Sequence, residues 1–420
     1  MPICFSKRKQ IISIYTIYQK VMGTQIIKTS KSLKEKTIVL GITGSIAAVR
    51  CVELARELRR HGADVHALMT DAARKIIHPE AMRYATGNPV ITEITGDVEH
   101  VDFCGVGGRA SLLLIAPCTA NTIGKIAHGI DDTSVTTFAT TAFGSGIPII
   151  IIPAMHESMY NHPIVIENIG KLTELGVEFV NPVTEEGAAK IASIEEIVLR
   201  VERAAGKKTL SGKRIIITGG ATAETVDPIR ILTNRASGKT GVELALEAFR
   251  RGADVTLVHR DCMGIQGICE FYAESAQDMT DSVIEELGKG YDLLISAAAI
   301  SDFTVTPSKD KIKSEKELTL TLKPAPKLIK EARQNYPDLK IIGFKAETGI
   351  SQEELIKRAR NSMDSLNLSM VVANDLSSGG IGTEKNNVYL IDSSIKPVSG
   401  TKRQIAIEIM DKIEEIMRIK

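Results

Sequence analysis

The chain lacks an excess of charge of either sign: Lys plus Arg number 52 against 51 Asp plus Glu. That excludes a global field able to gather nucleic acid or an anionic membrane, so any phosphate chemistry must come from local sites. It also lacks a cysteine framework. Cys4, Cys51, Cys104, Cys118, Cys262 and Cys269 form no CxxC pair and no zinc-type spacing. In 420 residues, enough for two cores, this pattern points to reduced thiols and a cytoplasmic setting. Long apolar runs are missing too; "IISIYTIY" near the start is too short to span a bilayer and has no cleavage site after it. Neither half has GxGxxG at its first turn, which disfavours a plain NAD site. Tryptophan is absent, and that decides nothing.

Two similar halves make up most of what is present. From Thr37 the chain reads "TIVLGITGSIAAVRCVELARELRRHGADVHALMT", and from Arg214 "RIIITGG…SGKTGVELALEAFRRGADVTLVHR". Each is a buried strand, a small-residue turn, an amphipathic helix and a "GADV" entry to a second strand, the start of a parallel doubly wound sheet. The fold class expected is therefore α/β, with two doubly wound Rossmann-like domains. Residues 1–36 are basic, with Lys or Arg at eight positions against the single acid Glu35, and are expected to be a disordered extension, with Met22 as an alternative initiator. The first domain is expected over 37–204, a linker over 205–212 and the second domain over 213–420.

Ligands of such sheets lie beyond the carboxyl ends of the strands, where helix N-termini offer free amides to anions. In the first half four strand ends break on small polar residues or proline. "GITGSIAA" brings Gly44 and Ser45, "MTDAARKII" brings Thr70, "IAPCTANT" brings Pro117, Cys118, Thr119, Ala120 and Asn121, and "IIIIPAMHESMY" brings Met155 and His156. A lone His100 lies in "GDVEHVDF"; His61, His78, His128 and His162 have no comparable setting and are read as structural.

"GSIAA", His100, "PCTANT" and "PAMHESMY", in that order, resemble the flavin-dependent cysteine decarboxylases, a family with a flavodoxin-like fold. "GGATAETVDPIRILTNRASGKTG" in the second half resembles the signature of the phosphopantothenate–cysteine ligases. The likeness spans about 37–420 and points to the bifunctional enzymes of coenzyme A biosynthesis. It implies FMN held by Gly44, Ser45, Thr70, Pro117, Thr119 and Ala120, with His100 as the active-site base. Asn121 would hold the substrate carboxylate, and Met155 and His156 would touch substrate. Two departures stand out: His156 replaces the family's Asn, and "NPVTEEGAAKIAS" lacks the usual clamp cysteine. Cys118 is the first candidate to supply the missing proton, with Cys104 second; the alternatives are that Cys118 merely replaces the usual small Ser or Ala and that the donor is another subunit's or solvent.

The stretch of about twenty residues between "RIIIT" and the next helix is far longer than an ordinary βα loop and reads as functional. Here the resemblance implies Asn234 at the acyl-nucleotide, with Arg230 nearby on the substrate. Lys311 would stabilise the charge built at the α-phosphate, with Lys313 as second choice. A nucleotide pocket would draw on Gly219, Gly220, Ser237, Gly238, Ala298, Ala299, Asp302, Pro326, Lys327, Leu328, Ile329 and Phe344. Asp302 is the candidate contact to Mg2+, and "NDLSSGGIGTEKNNVYLID" the closing loop. Where bacterial relatives place two lysines this chain has Ser362 and Leu366; Lys357, Arg358 or Arg360 would supply the charge instead.

The reading is ligation of 4'-phosphopantothenate to cysteine through an acyl-cytidylate, using CTP and Mg2+, followed by FMN-dependent decarboxylation to 4'-phosphopantetheine. The resemblance also implies a homo-oligomer, with trimeric decarboxylase and dimeric ligase halves that together can make a dodecamer. Two alternatives stay open: a flavin/nicotinamide oxidoreductase fusion, and a non-catalytic flavoprotein regulator.

Overall fold

A computed structural model describes residues 31–181, 183–185, 188–313, 317–376 and 385–418. The chain divides into two compact units between Lys207 and Lys208.

In the first unit the strands are β1 (Thr37–Ile42), β2 (Asp64–Met69), β3 (Leu112–Cys118), β4 (Ile149–Pro153), β5 (Met155–His156), β6 (Glu178–Phe179), β7 (Val183–Glu185) and β8 (Ala188–Lys190). A parallel sheet runs in the order β2-β1-β3-β4-β6, the flavodoxin-like arrangement. The continuous apolar runs follow from burial on both faces. Ile38, Leu40, Ile42, Leu112 and Leu114 pack on one side with the helices Cys51–Arg60 and Ile194–Ala205. Val39, Leu113 and Ile115 pack on the other with the helices Ala120–Ala127 and Ser134–Ser145. Alternation of side chains sends successive residues to opposite cores.

This unit begins before Thr37, which corrects the expected boundary. Leu33 is wholly buried in the first core, and its N–H donates to His61 O at 2.9 Å. Ser32 hydrogen-bonds Glu202, whose Oε1 lies 2.8 Å from His61 Nδ1. Residues 1–30 of the expected extension lie outside the described residues. The four histidines read as structural are so placed. His78 and His162 cap helices by accepting from Glu80 N and Ile164 N, His128 Nδ1 lies 2.8 Å from Gly124 O, and His61 belongs to the buried pair with Glu202.

The second unit contains β9 (Arg214–Thr218), β10 (Ala223–Thr225), β11 (Ile231–Thr233), β12 (Asp254–His259), β13 (Cys269–Tyr272), β14 (Leu293–Ser296), β15 (Phe303–Val305), β16 (Leu322–Pro324), β17 (Lys340–Glu347), β18 (Met370–Asp375), β19 (Lys385–Ile391) and β20 (Ile395–Thr401). Its main sheet runs β13-β12-β9-β14-β17-β18-β19-β20. The first six are parallel in the Rossmann order, and β19 and β20 extend it as an antiparallel hairpin. The long βα excursion is not irregular: β10 and β11 pair within it, and β15 pairs with β16 beside it. Among the described residues no helix is long and apolar enough to cross a membrane.

Candidate active sites

At the carboxyl ends of β1, β3 and β4 the backbone is fastened across strands. Thr43, which the sequence reading passed over, donates from Oγ1 to Pro117 O at 2.8 Å and accepts from Thr119 N at 3.1 Å. Ala154 N donates to Cys118 O at 3.0 Å. These bonds bring the "GITGS", "PCTANT" and "PAMH" turns side by side. Gly44 is required by packing, since a Cβ there would lie 2.5 Å from Ala72 Cβ. Ser45 precedes a 3-10 turn, Ile46–Arg50, and makes no cap bond, so its hydroxyl is not spent on the helix it precedes. Thr70 caps the short helix Asp71–Arg74 through Ala73 N, and Thr119 caps Ala120–Ala127 through Thr122 N. Asn121 stands exposed in the first turn of that helix, beside free amides.

His100 lies in the helix Glu99–Cys104, its ring centroid 6.4 Å from that of Phe138. Its Nδ1 is buried without a hydrogen-bond partner. A buried ring nitrogen left unpaired is costly, and an ordered water or a bound ligand is what satisfies one. Met155 is half-buried and His156 exposed on β5, which pairs with β8 as Met155↔Ala189 and His156↔Ala188. The backbone of the segment where the clamp was sought thus lies along the strand that carries His156; Pro182, Glu186 and Gly187 lie outside the described residues.

Cys118 is not placed to donate a proton. It has no exposed surface and packs in the second core with Val39, Leu113 and Ile115, and burial pushes its thiol well above the ordinary range. Cys104 is equally enclosed, its thiol pushed up to about 12 by burial. A break in strand alternation explains the error: the irregularity between Ile115 and Cys118 turns Cys118 into the core of Leu113 and Ile115 instead of onto the face of Leu112 and Leu114, and the less buried polar side chains begin only at Thr119.

In the second unit glycines meet glycines where β9 runs against the helix Lys239–Arg250. A Cβ on Gly241 would lie 2.7 Å from Gly219 Cα, and one on Gly238 3.1 Å from Gly220 Cα. Gly238 and Gly220 also have φ of +72° and +80°. Two glycine pairs therefore let a strand-end turn and a helix start approach backbone to backbone, with the helix's first-turn amides at the strand end. Beside them Thr218 Oγ1 accepts from Ala298 N at 3.2 Å, and Ala299 N donates to Gly220 O at 2.8 Å. Asn234 is exposed and donates from Nδ2 to Ala299 O at 3.1 Å, joining the "TNRASG" loop to the "SAAAIS" strand end. Ser237 is exposed just before the helix.

Arg230 and the Lys311–Lys313 segment are brought together by a residue the sequence reading did not name. Asp227, 1 % exposed, accepts from Ile229 N, Arg230 N and Ile312 N and pairs with Arg230 Nη1 at 2.7 Å. Arg230 Nη1 also donates to Ile312 O at 2.9 Å. Burial alone would raise the Asp227 carboxyl; the three N–H donors and the guanidinium outweigh it and hold it at about 2. The "DPIR" Asx turn was the available signal. Lys311 and Lys313 are exposed on either side of Ile312.

Asp302 pairs with Lys327, and its O accepts from Ala325 N at 3.0 Å. Pro326 and Phe344 are half-buried in this region of the sequence's nucleotide pocket. Leu328 is a correction, because it is buried in the core of the unit and presents no side chain to a ligand; Ile329 is half-buried and packs partly against that core. Asn374, at the end of β18, has a buried Oδ1 without a partner, a further polar atom at the sheet's carboxyl edge. Arg358 is held by Glu354 and Glu347, at 2.8 and 3.4 Å, while Lys357 and Arg360 are exposed. The core of the closing loop, 377–384, lies outside the described residues.

Residues 26–206 match the Flavoprotein family model, and 210–417 match that of the DNA/pantothenate metabolism flavoprotein C-terminal domain. A coenzyme A biosynthesis bifunctional protein CoaBC from Thermococcus kodakarensis is 52% identical over 395 residues, 92% of this chain and 97% of that one. The chain belongs to the bifunctional coenzyme A biosynthesis family. It is a bifunctional enzyme, with a flavoprotein decarboxylase half and a ligase half. The protein of the same name from Methanocaldococcus jannaschii is 40% identical over 403 residues, 94% of this chain and 98% of that one. A solved C-terminal domain of a CoaBC protein is 27% identical and covers 51% of this chain and 100% of its own, with a TM-score of 0.42.

Proposed function

We propose that the second unit joins 4'-phosphopantothenate to cysteine through an acyl-cytidylate, with CTP and Mg2+. The first unit then decarboxylates 4'-phosphopantothenoylcysteine to 4'-phosphopantetheine with FMN, in the cytoplasm. The orphaned Nδ1 of His100 carries the first assignment. It is a buried ring nitrogen without a partner in the unit whose strand-end turns leave the Ser45 hydroxyl unspent on the helix it precedes. These residues suit FMN, which when bound supplies the two-electron acceptor that decarboxylation beside a thiol needs. Ser45, Thr70, Thr119 and the backbone at Gly44, Pro117 and Ala120 would hold it. His100 would take the proton of the substrate, and Asn121 would bind the carboxylate that is lost.

For the ligase, the paired glycines at Gly219–Gly241 and Gly220–Gly238 support a phosphate cradle, and Asn234 stands at its rim. Arg230 and Lys311, fastened around Asp227, would meet the negative charge that builds at the α-phosphate. Asp302 would bind Mg2+ on release of its exposed pairing with Lys327. The resemblance implies homo-oligomers, trimeric through the first unit and dimeric through the second, and exposed apolar side chains such as Ile46 and Val106 in the former and Ile229 and Phe303 in the latter are available for such contacts. The deciding experiment incubates the purified chain with 4'-phosphopantothenate, cysteine, Mg2+ and either CTP or ATP, and identifies products by mass. Both the ligated and the decarboxylated species are expected with CTP; equal or better turnover with ATP would overturn the nucleotide, and turnover of NADH without CO2 release would overturn the whole reading.

A further inference from the structure

The connection between β12 and β13 carries a cluster that neither proposed reaction uses. His259 ends β12, Glu270 lies in β13, and Cys262 sits in the loop between them. One nitrogen, one sulfur and one carboxylate oxygen from these residues all lie within 4.8 Å of one another. His259 is buried, Glu270 half-buried and Cys262 exposed, so the cluster is rooted in the sheet and open to solvent on one side.

The loop is wrapped around the carboxylate. Met263 N donates to Glu270 Oε2 at 2.5 Å, Ile265 N to Oε1 at 2.7 Å, and His259 Nε2 lies 2.8 Å from Oε2. Burial favours the neutral acid, but these donors outweigh it and lower the carboxyl, so Glu270 is an anion of fixed orientation. The Cys262 thiol is pushed up to about 11, by burial first and then by the Glu270 and Asp261 charges. A cation among these groups would reverse that effect, because metal coordination displaces the thiol proton.

We propose that His259 Nε2, Cys262 Sγ and a Glu270 carboxylate oxygen bind one divalent cation of the zinc class, with water as fourth ligand. On binding, the Cys262 thiol proton goes to solvent, and the Nε2 proton that His259 shares with Glu270 also leaves to solvent while Nδ1 takes one up, so the neutral ring presents the Nε2 lone pair; no electron is transferred. Bonds of about 2.0–2.3 Å in a tetrahedron set neighbouring ligand atoms roughly 3.3–3.7 Å apart. To reach that spacing the exposed Cys262 side chain swings inward, and His259 Nε2 and Glu270 Oε2, now 2.8 Å apart in a hydrogen bond, open by roughly 0.5–0.9 Å to admit the ion between them. The Met263 and Ile265 amides stay on Glu270 as an outer shell that fixes the ligand. A sulfur and a nitrogen among three ligands disfavour Mg2+, which takes oxygen, so this site is chemically separate from the one proposed to serve the nucleotide. It lies one strand from the glycine turn, since Gly219 N donates to Val258 O at 3.0 Å beside His259. The cation would tether the β12–β13 loop at the same carboxyl edge of the sheet.

The test uses the full chain, stripped with a chelator and dialysed against Zn2+ or Mg2+. Zinc should be retained, and zinc X-ray absorption should show one sulfur neighbour near ~2.3 Å with nitrogen or oxygen near ~2.0–2.1 Å. Zn2+ but not Mg2+ should protect Cys262 from iodoacetamide, while the exposed Cys269 goes on reacting. Cys262→Ser, an exposed change compatible with the fold, should lose the sulfur neighbour and weaken zinc binding by at least ~10-fold. No retained zinc, a sulfur neighbour that survives Cys262→Ser, or alkylation of Cys262 indifferent to Zn2+ would overturn the site.

Discussion

A single unpaired buried atom separates His100 from the four histidines read as structural. His61, His78, His128 and His162 each have a bond within the fold, whereas the buried Nδ1 of His100 has none. That difference was invisible in the sequence, where His100 stood out only through its neighbours in a motif. Replacing His100 with Asn should cut CO2 release by about 10²–10⁴-fold, the usual contribution of a proton-transfer group, while flavin absorbance and ligation stay near normal. Decarboxylation at the normal rate would remove His100 from the chemistry. Asp227 makes the converse case, since nothing in "TVDPIR" marked it beyond turn chemistry, yet it ties Arg230 to the lysine segment. Its folded carboxyl, held at about 2, lies below the ordinary value of 3.8. The stability it gives is therefore fully present above about pH 4 and is lost as pH falls toward 2. Ligation measured from pH 5 to 8 should show no step from this group. Asp227→Asn should depress ligation across that whole range with decarboxylation unaffected, and a variant that ligates normally would detach Asp227 from the site.

The two βαβ openings were legible because strands buried on both faces need unbroken apolar runs, and "TIVLGI" and "RIIIT" meet that need. The β10–β11 hairpin was not legible. Its strands are three residues long, and β11 is exposed along its length. What holds the hairpin is distant: Glu224 is 3 % exposed and accepts from Ala276 N and Thr304 Oγ1, two elements far along the chain. The glycine-to-glycine contact between β9 and the following helix was half legible, as glycines in motifs whose partners only the fold reveals. Gly241→Ala would thrust its Cβ to 2.7 Å from Gly219 Cα, backbone against backbone with no flexible side chain to yield. The helix and the strand end must separate, at a cost of about 1–3 kcal/mol. In a unit of this size that lowers the melting point by roughly 2–4 °C per kcal/mol. Calorimetry should place the loss in the ligase unit and assays should find ligation impaired; an unchanged transition and full activity would show that the turn has room to spare.

Each unit has its own sheet and its own core, and the residues proposed for one reaction all fall on one side of the division between Lys207 and Lys208. The repeated "GADV" pattern announced this doubling. The place where the first fold begins was hidden, because Leu33 becomes core only through contacts with residues far from it in sequence. Separate sites joined by a free intermediate carry a consequence for mixtures of variants. His100→Asn is expected to ligate but not decarboxylate; Asn234→Asp, with added negative charge at the acyl-nucleotide, is expected to decarboxylate but not ligate. Alone, neither should convert 4'-phosphopantothenate, cysteine and CTP into 4'-phosphopantetheine. Together they should, because 4'-phosphopantothenoylcysteine made on one chain needs only to diffuse to the intact site of another. The time course should show a lag that shortens as the Asn234→Asp protein is raised, since that protein sets the capture of the free intermediate. Mass-resolved sampling of both species over time reads this directly. Failure of the mixture, when each variant retains its own half-reaction on supplied substrate, would mean that the intermediate is passed within one chain or assembly, and the independence of the two sites would be wrong.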